Sequence, residues 1–513
     1  MWIANSLRTR MLEEKTEREF GITSPTLMER AGMAVFDALQ QLLPDGGRVA
    51  VMCGRGHNGG DGLATARMAH ERHYRVDIIM TCEEHEMCEL TAHQLELARQ
   101  VGLEPVFAND CQWERKLHQI TARDVIVDSI LGIGAHQEVR GPVRNAIQAI
   151  NRSGVPVISV DVPSGICCDT GEELGESVWA LRTVTFGMAK PYLFQGIGLE
   201  HAGYWTVSEI GLPQVLLTEP TEARLLDGEW VASLLPERLK ASHKGDNGHV
   251  LIIAGSKWMR GAASLAARAC FHAGAGMVTV AGIPSVCDSV AANVPEALLL
   301  PLPESDGVIA PEASELIFRY EHKFTSCLVG PGLSTELPVQ EFLRKCFTMW
   351  SLPTVLDADA LNCIAAGVPM PTSECVLTPH PGEMGRLLKS SIAEIQSDRF
   401  RTVNHAVQEF KQCVLLKGPY SIVGEPNQPM MVNCTGNPGL ASAGMGDVLG
   451  GIIATLMAQD LPGYYAAGCG MFWHGAAGDI CAELIGPIGY KASDVATYLP
   501  AARARIVSAC HEA

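Results

Sequence analysis

Short apolar runs alternate with longer stretches of mixed polarity along the whole chain. Val49-Ala50-Val51-Met52-Cys53 has the length and continuity of a strand buried on both faces. Residues 63–72 read as a helix and 75–80 as the next strand, which makes a βαβ unit. Further strands are predicted over 124–128, 155–161 and 182–187. A second series opens at 249–255 and continues near 277–281, 326–330, 354–357, 375–378 and 413–416. The Ala-rich stretch 262–272 has good helix-forming composition. Between Gly211 and Glu229 the pattern breaks at Pro213, Pro220 and a mixed polar run, which reads as a domain junction. Strands alternating with helices on both sides of it predict α/β architecture.

Composition adds bounds. At 513 residues the chain is too long for one ordinary domain, and 47% hydrophobic residues suffice for sizeable cores. A net charge of −18 argues against non-specific nucleic-acid binding, though local loops still decide whether an anionic ligand binds. Seventeen cysteines fall without a Cys-x-x-Cys pair or a zinc pattern, so reduced cytoplasmic thiols are expected. Residues 1–20 mix acids and bases around no apolar core, so neither a secretory nor an organellar signal is expected. No apolar run is long enough to cross a bilayer, and no membrane partner is expected.

Two glycine-rich segments carry the candidate chemistry. Gly444-Met445-Gly446-Asp447 opens an apolar helix-like run. Free N–H groups of a first helical turn, with the helix dipole behind them, hold moving negative charge. An ionised Asp at that entry suits taking a proton from an attacking hydroxyl, a role compatible with capping the helix. The second segment, Gly54 to Gly62, packs five glycines between strand and helix. This is where an open α/β sheet binds nucleotides or phosphates, although the spacing is not that of the dinucleotide fingerprint.

Further motifs identify both halves by resemblance. Leu27-Met28-Glu29-Arg30-Ala31-Gly32, His57-Asn58-Gly59-Gly60-Asp61-Gly62, Asp128 with Gly132-Ile133-Gly134, Asp161-Val162-Pro163-Ser164-Gly165 and Lys190-Pro191 resemble the YjeF N-terminal NAD(P)HX epimerases. Lys244 to His249, Gly330-Pro331-Gly332-Leu333, Thr378 to Glu383, Leu416-Lys417-Gly418 and the Gly444–Asp447 turn resemble the ribokinase-like NAD(P)HX dehydratases. In this order they resemble the bifunctional nicotinamide nucleotide hydrate repair family. The family loop usually begins Asn-Asn, and here its first residue is His57.

The resemblance implies an N-terminal Rossmann-like α/β/α sandwich over 1–215 and a C-terminal ribokinase-like α/β domain over 225–513. It implies epimerisation of the R and S forms of NADHX and NADPHX, and ADP-dependent dehydration of the S form to NAD(P)H with release of AMP and phosphate. Asp161 and Lys190 would be the acid/base pair at C6 of the hydrated ring. His57, Asn58, Gly59, Gly60 and Asp61, with Gly132, Ile133, Gly134 and Ala135, would bind its nucleotide. Asn58, Asp128 and Ser164 would hold a potassium ion. In the second domain Asp447 would be catalytic, Ala262, Gly332, His380 and Asp447 would touch the hydrate, and Lys417, Gly418, Pro419, Tyr420, Ser421 and Gly446 would bind ADP. Magnesium would accompany the nucleotide; Asp357, Asp359 and Glu383 read more readily as solvated loop acids. A homo-oligomer is expected. The alternative is a ribokinase-superfamily vitamin kinase with an N-terminal ligand-binding domain, using the same Gly-x-Gly-Asp turn.

Overall fold

The computed structural model describes residues 1–108, 112–121 and 123–508. It divides into two compact units, Met1–Ala223 and Arg224–Ala513.

In the first unit seven parallel strands form one sheet: β1 (Arg48–Cys53), β2 (Arg75–Met80), β3 (Val106–Phe107), β4 (Val125–Ser129), β5 (Val157–Val160), β6 (Arg182–Phe186) and β7 (Tyr204–Ser208). Their order is β3-β2-β1-β4-β5-β6-β7. Successive residues of β1 serve opposite faces. Val49, Val51 and Cys53 join a core with the Ser24–Leu42, His57–Glu71 and Glu89–Gln100 helices. Ala50 and Met52 join the core under Trp113, Leu117 and the Gly141–Ser153 helix. Both faces are covered, which explains the continuous apolar strands. The strand order reverses between β1 and β4, and the crevice beyond their carboxyl ends is the ligand position of such sheets.

The helix after β1 begins at His57, not at residue 63 as the pattern predicted. Gly59, Gly60 and Gly62 therefore lie inside its first turns. Close packing requires them: a Cβ would come within 2.0 Å of the Gly54 carbonyl oxygen at 59, 2.6 Å of Met28 at 60 and 1.9 Å of Ser129 Oγ at 62. Their small size seats the helix against β1, β4 and the Ser24–Leu42 helix.

In the second unit β8 (His249–Ile253), β9 (Met277–Gly282), β10 (Leu298–Pro301), β11 (Ser326–Val329), β12 (Thr354–Leu356), β13 (Cys375–Leu377) and β14 (Cys413–Leu416) run parallel. Two further strands, β15 (Ile422–Gly424) and β16 (Met430–Val432), continue the sheet antiparallel, in the order β16-β15-β14-β13-β12-β11-β8-β9-β10. The sequence pattern missed β3, β7, β10, β15 and β16, all short or peripheral strands with little apolar periodicity. The Met445–Ala458 helix is buried over nearly its whole length. Gly450 lets it approach Leu328 and Gly451 lets it approach Ala266 and Ala269. Among the described residues no helix is long and apolar enough to cross a membrane.

Candidate active sites

In the first unit a cavity of about 810 Å³ opens at the carboxyl ends of β1, β4 and β5. The turn after β1 forms one wall. Gly54 donates to the Ser129 carbonyl at 3.1 Å and sits where a Cβ would strike the Ile130 carbonyl. Gly56, at φ −92°, caps the helix without a side chain, and Gly56 itself lines the cavity. His57, Asn58 and Asp61 line the cavity together with Gly132, Ile133, Gly134 and Ala135.

Asn58, Asp128 and Ser164 are brought together by one hydrogen-bonded chain. Asn58 Nδ2 donates to the Leu131 carbonyl at 2.9 Å, and Leu131 N donates to Ser164 Oγ at 2.8 Å. Ser164 donates to Asp128 through Oγ at 2.5 Å and N at 2.9 Å, and Ser159 Oγ adds a bond at 2.8 Å. Asp128 is fully buried, and that burial pushes its pKa above the usual carboxylate range. Among the described residues no cationic side chain forms an ion pair with it.

Asp161 follows β5 in a left-handed conformation, φ 65°. Its Oδ1 accepts from Lys190 Nζ at 2.6 Å, Thr185 Oγ1 at 2.9 Å and Phe186 N at 3.1 Å. These bonds converge on one oxygen, and Asp161 also lines the cavity. Lys190 is wholly buried behind it.

Two other carboxyls share this wall. Glu13, on the Ser6–Phe20 helix, is pushed up to about 7 by burial and by the Asp161 charge, against the pull of Lys190 and Arg10. Burial, Asp161 and Glu13 hold Asp61 well above the ordinary range. Arg10 reaches the glycine loop, with Nη2 2.8 Å from where a Gly134 Cβ would be. Sequence reasoning missed Glu13 and Arg10 because they sit in a helix of mixed charge with no local motif.

The second site surrounds the start of the Met445–Ala458 helix. Gly444 takes φ 87° and packs on Leu265, one turn beyond Ala262. A Cβ on Gly446 would lie 3.3 Å from Lys417 Nζ and 3.4 Å from Asp357 Oδ2. Lys417 donates to Asp357 at 2.7 Å, and Glu383 stands 3.8 Å away. Burial disfavours the Lys417 ammonium, but Asp357 and Glu383 outweigh it and hold its pKa above the usual value. Asp447 is pushed up to about 7 by burial and by Asp357, against Lys417.

Asp357 and Glu383 are buried, not solvated as the sequence reading preferred. Asp357 Oδ1 also accepts from Thr378 at 2.9 Å. Asp359 instead holds the Ser334 N–H at 2.8 Å. His380 is the N-cap of the Pro381–Leu388 helix: Nδ1 accepts from Gly382 N at 2.9 Å while Glu383 accepts from His380 N at 2.8 Å. Gly332, at φ 64°, abuts Met259 and Ala262, so two predicted substrate positions adjoin.

The Lys417–Ser421 loop turns through Gly418 at φ 145° and Tyr420 at φ 48°. Buried Arg399 shapes it, donating to the carbonyls of Leu416 and Pro419. Among the described residues no cluster of three or more His, Cys, Asp or Glu is arranged to hold a metal ion.

Fold and sites thus define a chain of two α/β enzyme domains, one with an acidic cavity at a sheet switch point and one with a lysine and a glycine-rich helix start. Family models agree with that division: residues 24–192 match the YjeF-related protein N-terminus and 250–501 match NAD(P)H-hydrate dehydratase. The bifunctional NAD(P)H-hydrate repair enzyme of Coxiella burnetii is 37% identical over 95% of this chain and 96% of its own. That of Moorella thermoacetica is 34% identical over 98% and 96%. A ribokinase-like superfamily protein from Enterococcus faecalis, 24% identical with a TM-score of 0.50, shares the fold over 56% of this chain and 96% of its own. The chain belongs to the bifunctional NAD(P)H-hydrate repair enzyme family.

Proposed function

We propose that this chain repairs hydrated nicotinamide nucleotides, the first unit epimerising the R and S forms of NADHX and NADPHX and the second dehydrating the S form with ADP. The observation that carries this reading is the pair of separate acid/base centres, Asp161 in the first unit and Asp447 in the second, each beside a lysine.

In the second unit Asp447 takes the proton of the C6 hydroxyl as that oxygen attacks the terminal phosphoryl of ADP. The Gly444–Gly446 N–H groups and Lys417 stabilise the charge in transfer. AMP leaves. The ring nitrogen lone pair then expels phosphate from C6, and loss of the C5 proton restores the double bond of NAD(P)H. A carboxyl with a pKa near 7 is matched to proton transfer at neutral pH. Lys417 to Ser421 would follow the ADP phosphates and ribose. The Asp357 oxygen facing Gly446 would hold magnesium, an ion that keeps few protein ligands and would offset phosphate charge.

In the first unit the glycine loop and the helix start would hold the substrate phosphates. Asn58, Asp128 and Ser164 fit potassium: hard oxygen donors around a buried carboxylate without a cationic partner suit a weakly charged hard cation. Potassium would neutralise Asp128 and hold the surrounding loops.

The test supplies both epimers of hydrated NADH to the purified chain with ADP, with ATP and with neither, following dihydronicotinamide absorbance. Full recovery with ADP is expected. Asp447→Asn should abolish recovery while R and S still interconvert. Asp161→Asn should confine rapid recovery to the S share. No recovery with either nucleotide, together with ATP-dependent phosphorylation of a vitamin alcohol in a parallel assay, would favour the kinase alternative.

A further inference from the structure

Asp161 reaches the first cavity, but its partner Lys190 does not line it. The Lys190 ammonium is wholly buried and donates to Asp161 Oδ1 at 2.6 Å, Thr185 Oγ1 at 2.8 Å and Phe186 O at 2.7 Å. An ammonium has three donors, and here all three are committed. Inversion at C6 needs two proton transfers, one to the departing hydroxyl and one from the incoming water. Asp161 serves one of them. The second group has to come from the cavity wall.

Glu13 stands on that wall, on the Ser6–Phe20 helix, within electrostatic reach of Asp161, Lys190 and Asp61. It is part-buried, and among the described residues no salt bridge or side-chain hydrogen bond holds its carboxyl. Asp61 shares the wall from the His57–Glu71 helix. Glu14, Glu17 and Glu86 also line the cavity but are exposed, where water would compete for their protons.

We propose that Glu13 is the second proton-transfer residue of the epimerase, working with Asp161, and that Lys190 is a positioning residue for Asp161. This rests on the reading of the first unit as the epimerase. In one direction Glu13 gives its proton to the C6 hydroxyl, and the C6–O bond breaks to release water. The ring nitrogen lone pair forms the C=N bond of an iminium ion. Water adds to the other face of C6, and its proton passes to Asp161. The turnover moves one proton from Glu13 to Asp161, and cavity water or a turnover in reverse restores it. Burial and the charges of Asp161 and Glu14 raise the Glu13 pKa; Lys190 and Arg10 lower it, with a result near 7. Arg55 and His57 are the other charged or titratable groups facing the cavity from the glycine turn.

The test measures R-to-S conversion of hydrated NADH by the full chain from pH 5.5 to 8.5, in the parent, Glu13→Gln, Glu13→Asp and Asp161→Asn. Positioned acid catalysis contributes about 10²–10⁴-fold. Glu13→Gln should lower kcat by about 100-fold or more with KM within about threefold, on that same scale, while S-epimer dehydration is unchanged. The parent kcat/KM should fall as pH rises through about 7, and Glu13→Asp should keep activity but shift that limb. Glu13→Gln with parental kcat and limb, beside an inactive Asp161→Asn, would overturn the role of Glu13 and leave the epimerase reading standing. Parental rates in both Asp161→Asn and Glu13→Gln would overturn the two together. Should Glu13→Gln fail to fold, an unshifted limb in Glu13→Asp overturns the proposal by itself.

Discussion

Lys190 is a buried cation whose three donors meet one carboxylate oxygen, one hydroxyl and one carbonyl. Truncating one partner of a buried pair leaves the other charge uncompensated, at about 3–5 kcal/mol. Lys190→Met should therefore destabilise the first unit by about that amount and lower epimerase activity through misplacement of Asp161. Adding Asp161→Asn should return part of the lost stability, because the two residues form one interacting pair. Urea unfolding of the first unit across the double-mutant cycle checks this, and strict additivity would contradict the arrangement. Arg399 has a comparable role beneath the Lys417–Ser421 loop, where it donates to two carbonyls that flank Lys417 and Gly418.

The His57–Glu71 helix shows how one element sets a site. Its glycines are poor helix formers, each costing about 1 kcal/mol relative to alanine. At Gly62 that preference is overridden, because a Cβ would lie 1.9 Å from Ser129 Oγ at the end of β4. Gly62→Ala should destabilise the first unit by about 1–3 kcal/mol and impair epimerisation by pushing Asn58 and Asp61 away from Asp128 and Asp161. Gly56 differs: its φ is −92° and a Cβ would meet nothing within 4 Å. Gly56→Ala should cost under about 1 kcal/mol, the ordinary price of a changed cap. Thermal melts and epimerase rates of the two variants, compared side by side, test whether packing is what places the glycines.

Across the whole molecule, each unit carries a carboxyl near 7, Glu13 in one and Asp447 in the other. For Asp447 the folded pKa of about 7 exceeds the ordinary aspartate value of 3.8. Between these values the folded state binds more protons than the unfolded state, so stability falls as pH rises, and it levels off above about 7. The slope is at most about 1.4 kcal/mol per pH unit, and partial exposure of Asp447 to solvent reduces it. Asp447→Asn removes this titration. Its stabilising effect on the second unit should grow from pH 4.5 to about 7 and then stay constant, as read by melts of both proteins in the absence of nucleotide. A pH-independent difference would contradict the burial of the Asp447 carboxylate.

The alternation of apolar strands and helices and the Gly-x-Gly-Asp start of a buried helix were both legible in the sequence. Each is a local pattern, set by strand and helix periods and by the backbone needs of glycine. Asp357, Lys417 and Glu383 were not legible as a group. Asp357 follows β12 and Lys417 follows β14, with β13 and Thr378 between them, so only the strand order brings them within 2.7 Å. The burial of Lys190 and the approach of Glu13 to Asp161 likewise depend on which elements pack together. Sequence determined the elements and the chemistry at their ends. Tertiary structure decided which charges meet and which are removed from water, because desolvation and Coulomb energy depend on distance in space and not along the chain.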